Sequence, residues 1–180
     1  MAAGRTVAQI LVGADGKAYV GATTAAAPTT SDSTVDGGFS DLGWISEDGL
    51  VSSSNTSSND IKTWDGVTAR KVITDTEFTF KVKFLQTSKY VLELFHAGST
   101  MSGSKMDVKK AVQDHRSFIF DVFDGTIPVR IYIASGEVTE QGDITYANGE
   151  AIAYEVTITA YPSATGVTHT KFFSTAFLMS

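Results

Sequence analysis

The sequence predicts a β-rich α+β fold, with many strands and one helix, and three observations lead there. Phe78, Phe80, Val82 and Phe84 alternate with Glu77, Thr79, Lys81 and Lys83, the period-two pattern of a sheet with one buried face. Turn signals separate the apolar runs of the last third, Asp124-Gly125-Thr126 and Ala147-Asn148-Gly149. Helical spacing is confined to one short stretch, Val91, Leu94 and Phe95, so no strand–helix alternation points to a parallel sheet.

Taken in order, Val7 to Val12 and Lys17 to Val20 read as short strands around the turn Gly13-Ala14-Asp15-Gly16. Ala22 to Ser40 is rich in Ala, Thr, Ser and Gly, contains Pro28 and has no periodicity, which predicts an extended arm or loop. Phe39, Leu42, Trp44 and Ile45 mark another strand. Glu47 to Asp65 follows as a long loop, because Ser and Asn dominate Val51 to Asp60 and apolar anchors are nearly absent. A loop of that length inside a compact domain is usually functional or disordered. Val67 to Leu85 is the clearest strand region. Thr87 or Ser88 then caps a helix running to Ala97, with Gly98 beyond its end. Strands over Ser117 to Phe123, Ile127 to Ala134, Gly136 to Tyr146 and Glu150 to Tyr161 form two hairpins, and residues 163–180 are a final strand or arm. With 180 residues, a single domain spanning 1–180 is expected.

Composition narrows the chemistry. The absence of cysteine excludes disulfides, thiol catalysis and thiolate-bound zinc. No run of eighteen apolar residues is present to form a spanning helix, and Met1 to Gly16 lacks the pattern of a secretory signal. The net charge of −6 is uneven: residues 1–60 carry two basic and seven acidic side chains, 61–130 eleven and eight, and 131–180 one and five. A surface that grips phosphates needs a net basic face, and this chain offers only a weakly basic middle between acidic flanks.

No catalytic constellation emerges. His96, His115 and His169 are scattered without metal-ligand spacing; His96 suits a helix end, and His115 a strand entrance beside Asp114 and Arg116. Asp121 and Asp124 could be paired as carboxylates, but one lies in an apolar strand and the other in a turn, a structural pattern. No phosphate-binding glycine loop, nucleophile elbow or calcium loop occurs, so no cofactor or metal is expected and the chain is read as a non-enzyme.

The specific strings are Asp41-Leu42-Gly43-Trp44-Ile45-Ser46-Glu47-Asp48-Gly49, Asp60-Ile61-Lys62-Thr63-Trp64-Asp65-Gly66, Val91-Leu92-Glu93-Leu94-Phe95, Gly136-Glu137-Val138-Thr139-Glu140 and Tyr154 to Pro162. In this order and spacing, from about Val12 to Pro162, the chain resembles the major tail (tail tube) protein of siphophages, particularly those of actinobacteria. The resemblance implies two packed antiparallel sheets in a sandwich or barrel, with a flanking helix. It implies six-membered rings whose sheets join into one barrel, and rings stacked into a tube that conducts DNA without binding it specifically. The implied partners are further copies of the chain, the tail tip or initiator complex, a tape measure protein and a tail terminator. The implied location is the virion tail, assembled in the host cytoplasm, with no membrane. By position, Glu47, Asp48, Asn55, Asp60, Trp64 and Asp65 become the inter-ring assembly loop, and Asp41, Asp60, Asp65 and Asp75 the lumen lining. Two alternatives stay open: the tube protein of a contractile injection machine, and a β-sandwich module binding a carbohydrate or small ligand. In the latter, Trp44 and Trp64 would stack on the ligand, and Asp48, Asn55 and Asp60 would hold its polar groups.

Overall fold

The structure is a computed structural model, and it describes residues 10–175. The strands are β1 (Asp15–Ala22), β2 (Phe39–Asp41), β3 (Ile45–Lys62), β4 (Thr68–Phe84), β5 (Met101–Ser102), β6 (Lys105–Met106), β7 (Arg116–Asp124), β8 (Ile127–Gln141), β9 (Tyr154–Ala160) and β10 (Thr170–Phe173). The helix α1 (Lys89–Phe95) lies between β4 and β5. Two antiparallel sheets result, of very unequal size: an eight-stranded one in the order β2-β1-β7-β8-β9-β4-β3, with β10 also on β8, and the ribbon β5-β6.

The large sheet folds into two layers because β8 changes neighbours partway along. Its first half pairs with β7 on one side and β10 on the other; from Gly136 onward it pairs with β9. Register irregularities flank that point in both ladders, the usual device by which a strand passes from one layer to another. Gly136 sits at the corner, where an added Cβ would meet Ile158 Cγ2 at 3.0 Å and the Phe118 ring at 3.1 Å. Between the layers lies the core: Phe118 and Phe120 of β7, Ile131 and Ile133 of β8, Val156 and Ile158 of β9, and Phe80, Val82 and Phe84 of β4. Phe80 stacks on Phe120 across the gap at 6.3 Å. The helix closes one side with Val91, Leu94 and Phe95, and Ser88 caps it, its Oγ accepting from the Val91 amide at 3.3 Å.

Three expectations are corrected. Between Ala22 and Phe39 the chain is the loop of the two alternatives and not a free arm: it straps across the outer face of the first layer, where Ala25, Val35 and Phe39 pack around Ile119 and Tyr132. Residues 142–153 contain no strand, so Asn148-Gly149 turns within a longer connection instead of forming a tight hairpin. The predicted strand Val7 to Val12 lies partly outside the described residues, and Ile10 to Val12 is not strand. Likewise residues 176–180 of the expected C-terminal strand or arm lie outside them, while 170–173 forms β10. The Asp124-Gly125-Thr126 hairpin is present, with Gly125 at φ 58°.

Candidate functional site: a protruding hairpin and the cleft at its base

The largest correction falls on Glu47 to Asp65. It is not a loop: most of it is β3, paired with β4 from Ile45↔Phe84 to Lys62↔Thr68. The Ser and Asn run carries no alternation because neither of its faces is buried. β4 is flanked by β9 only over Phe78–Phe84. Residues 55–77 therefore leave the sheet as a two-stranded arm, with residues 68–77 reaching about 33 Å beyond it at roughly 3.3 Å per residue. A lone two-stranded hairpin is at best marginally stable in water. This one also exposes Ile61, Val67 and Ile73.

The tip is a compact turn. The Thr63 amide donates to the Val67 carbonyl (2.8 Å), the Gly66 amide to the Thr63 carbonyl (2.9 Å), and Gly66 takes the φ of 85° the turn demands. The Thr63 hydroxyl donates to the Asp65 carboxylate, which lowers that acid's pKa below its ordinary value. Trp64 is held outward on this turn, fully exposed.

At the other end of β3 the ladder breaks between Ile45 and Leu50, and residues 46–49 bulge out. Gly49 takes φ 68°, and the Ser46 hydroxyl donates to Asp48 at 3.0 Å. The bulge, the start of β1 and the end of β7 enclose an open cleft of about 450 Å³, lined by Trp44, Ile45 and Leu50 together with Asp15, Glu47 and Asp48.

The residues expected to act together thus fall in two places. Glu47 and Asp48 border the cleft; Asn55 and Asp60 lie along the arm; Trp64 and Asp65 sit at its tip. Trp44 and Trp64 stand at opposite ends of β3, so they cannot clamp one ligand, which removes the stacking pair from the ligand-binding reading. The acids proposed for a lumen are not gathered either. Asp41 pairs with Tyr19 on the outer face of the first layer, its carboxylate accepting from the Gly43 amide at 2.7 Å. Asp75 is opposite Ser57, on the side of the hairpin that continues into Thr79 and Lys81 of the second layer. Asp60 faces the other side, 3.7 Å from Lys71.

Two features escaped sequence reasoning. One is the outer face of the second layer, a polar surface of Thr79, Thr139, Thr157 and Thr159. It holds Glu77, Glu137, Glu140 and Glu155 beside Lys81 and Lys83. Glu155 bonds Lys81 at 2.9 Å and raises its pKa. The other is a buried ion pair: Arg130 Nε and Nη2 donate to the two Asp121 oxygens at 2.6 and 2.8 Å. Arg130 Nη1 also donates to the Ser33 carbonyl (2.6 Å) and hydroxyl (3.0 Å), which ties the strap down. Asp121 therefore works in structure, and Asp124 accepts from the Val12 amide at 3.1 Å. Among the described residues no cluster of His, Asp or Glu is arranged to hold a metal, and no helix is long and apolar enough to cross a membrane.

The described residues thus form a two-layer β body with a protruding, solvent-exposed arm, and Asp121 and Asp124 are engaged in bonds within the fold. Residues 3–177 match the model of the phage tail tube protein family, and the chain belongs to that family; it is a tail tube component and not an enzyme. Among solved structures, it is similar to a chain in the virion of a native gene transfer agent particle. That match has a TM-score of 0.42 and 9% identity, over 76% of this chain and 88% of the other. A second similar chain, in the tail of an empty gene transfer agent particle obtained with helical refinement in C6 symmetry, gives 0.42 and 9% over 95% and 99%. No match was found among curated protein sequences.

Proposed function

We propose that the chain forms six-membered rings that stack into the tail tube and conduct DNA during ejection into the host. Copies assemble in the host cytoplasm into the virion tail, beside the initiator complex, tape measure protein and terminator. The observation that carries this reading is the arm: a long, solvent-exposed hairpin bearing apolar side chains, on a body that is otherwise well packed. Such a hairpin gains stability when a second surface covers it. Among the described residues the sheet also leaves three strands with a neighbour on one side only, β2 and β3 at the ends of its path and β10 beside β8. Edges of neighbouring copies joined in a ring would cover such strands.

The conduit wall in this reading is the polar outer face of the second layer, continuous with the side of the arm that bears Asp75 from the set of acids above. Its carboxylates outnumber its lysines, and a wall of that balance lets a phosphate backbone slide instead of holding it. Asp41, Asp60 and Asp65 are assigned elsewhere, because they do not share that face.

The test is to replace residues 55–77 with a two-residue turn. Far-UV circular dichroism should show a folded body, and negative-stain microscopy should show no tubes under conditions where the full chain polymerises. Normal tubes from the shortened chain would overturn the role of the arm.

A further inference from the structure

The arm and the cleft lie at opposite ends of the same strand, and their surfaces are complementary. At the arm's end the three cations Lys62, Arg70 and Lys71 outnumber the two carboxylates of Asp60 and Asp65; Asp60 lies beside Lys71, and Lys62 and Arg70 have no carboxylate partner among the described residues. The cleft has the reverse balance, with Glu47, Asp48 and Asp15 against the one cation Lys17, around an apolar floor of Ile45 and Leu50 and an exposed Trp44. Trp64, carried on a self-satisfied turn, gives up little backbone freedom on insertion. Large aromatic side chains seated in a desolvated pocket with charged neighbours are what usually anchors a protein contact.

We infer that the cleft bordered by Trp44 and residues 46–50 is the receptor for the arm tip of a second copy of this chain, with Trp64 in the cleft and Lys62 and Arg70 against Glu47 and Asp48. The contact rests on the arm being the assembly element, and it names the surface that element meets. Donor and acceptor are different patches on one molecule, so the contact is head-to-tail: it does not close as a two-fold pair, and with the offset along the arm it is open-ended. Repetition therefore adds copies along the arm direction. From Leu50 at the cleft to Trp64 at the tip the chain covers about 46 Å at roughly 3.3 Å per residue. That distance is the ceiling on the axial repeat the contact can generate, since any tilt of the arm shortens it.

The experiment uses the absence of native cysteine. Asp65→Cys and Ser46→Cys chains are made separately, mixed under polymerising conditions and oxidised. A covalent dimer from the mixture, absent from either variant alone, is the expected result. No dimer from the mixture, with tubes still visible by microscopy, overturns the cleft as receptor and leaves the assembling arm intact. In a second arm, Lys62→Glu with Arg70→Glu should abolish tubes, and adding Glu47→Lys with Asp48→Lys to the same chain should restore them. Failure of restoration while each folded variant stays monomeric places the receptor elsewhere. Tubes from the Lys62→Glu, Arg70→Glu chain alone would overturn the charge pairing. An axial repeat well above about 46 Å in the assembled tube would exclude the contact on length alone.

Discussion

Replacing Asp121 with Asn removes one charge and almost no volume, and its effect follows from where Arg130 sits. Both side chains are nearly sealed from water, at 3% and 4% exposure, so the orphaned guanidinium cannot be rehydrated without opening the strap. Breaking a buried pair from one side costs about 3–5 kcal/mol. Here the Ser33 carbonyl and hydroxyl still accept from Nη1, which puts the expected loss near the lower end, about 3 kcal/mol. For a chain of this size that corresponds to a melting temperature lower by about 6–12 °C. The control is Asp114→Asn: its bond to Arg116 is as short, 2.7 Å, but both side chains are about 30% exposed. An exposed pair is worth at most about 1 kcal/mol. Urea unfolding should be followed by far-UV circular dichroism, because Trp44 and Trp64 are exposed in the folded state and make poor reporters. Equal losses from the two variants, or a loss below about 1 kcal/mol for Asp121→Asn, would refute the buried anchor. The same reasoning has Arg130→Met loosening residues 22–38 to a broad-specificity protease; trypsin would not detect this, since that segment holds no Lys or Arg.

Two further outcomes are expected. If the outer face of the second layer lines the conduit, changing Glu140 and Glu155 to Lys should leave tubes intact and slow DNA release severalfold at low salt, with the difference shrinking as salt rises; unchanged ejection kinetics would place the wall on another face. His169 packs edge-on against Phe78 and Phe80 at 5.1 and 5.2 Å, and burial, with Lys171 adding to it, pushes its pKa below the ordinary 6.5. The unfolded chain then takes up the proton more readily, so stability is complete above about pH 6.5 and declines as the pH falls below it. His169→Gln should flatten the drop in melting temperature between pH 7.5 and 5; an identical slope in the variant would count against the shift.

What could be read from the sequence follows the physics of burial. β4 was legible over Glu77–Phe84 because one face is packed, and the helix was legible because Ser88 and three apolar residues mark it. β3 was not, since a strand exposed on both faces has no reason to alternate, and its structure is dictated by the neighbour it pairs with. The strap was missed for a different reason. Its anchor, Arg130, lies 97 residues from Ser33, and only the folded chain brings them together. Resemblance alone groups Glu47, Asp48, Asn55, Asp60, Trp64 and Asp65 as one loop, although they belong to two surfaces that no local pattern distinguishes. Glu47 and Trp64 look like members of one loop until the strand between them sets them about 40 Å apart or more.

The free edge of β3 has a consequence of its own. Ser52 to Asn59 is a run of small polar residues, so the backbone, not the side chains, is what it offers a neighbour. Each such hydrogen bond nets only about 0.5–1.5 kcal/mol in water. A partner that catches a few of them leaves again, and one that engages the whole length stays. The edge thus behaves like a zip, with little tack and high holding strength. It also has little sense of position, because one serine resembles the next, and a strand without a buried face specifies its register weakly. Something other than the edge must set the starting tooth, and the interrupted ladder at residues 46–49 is where the run can begin in only one way.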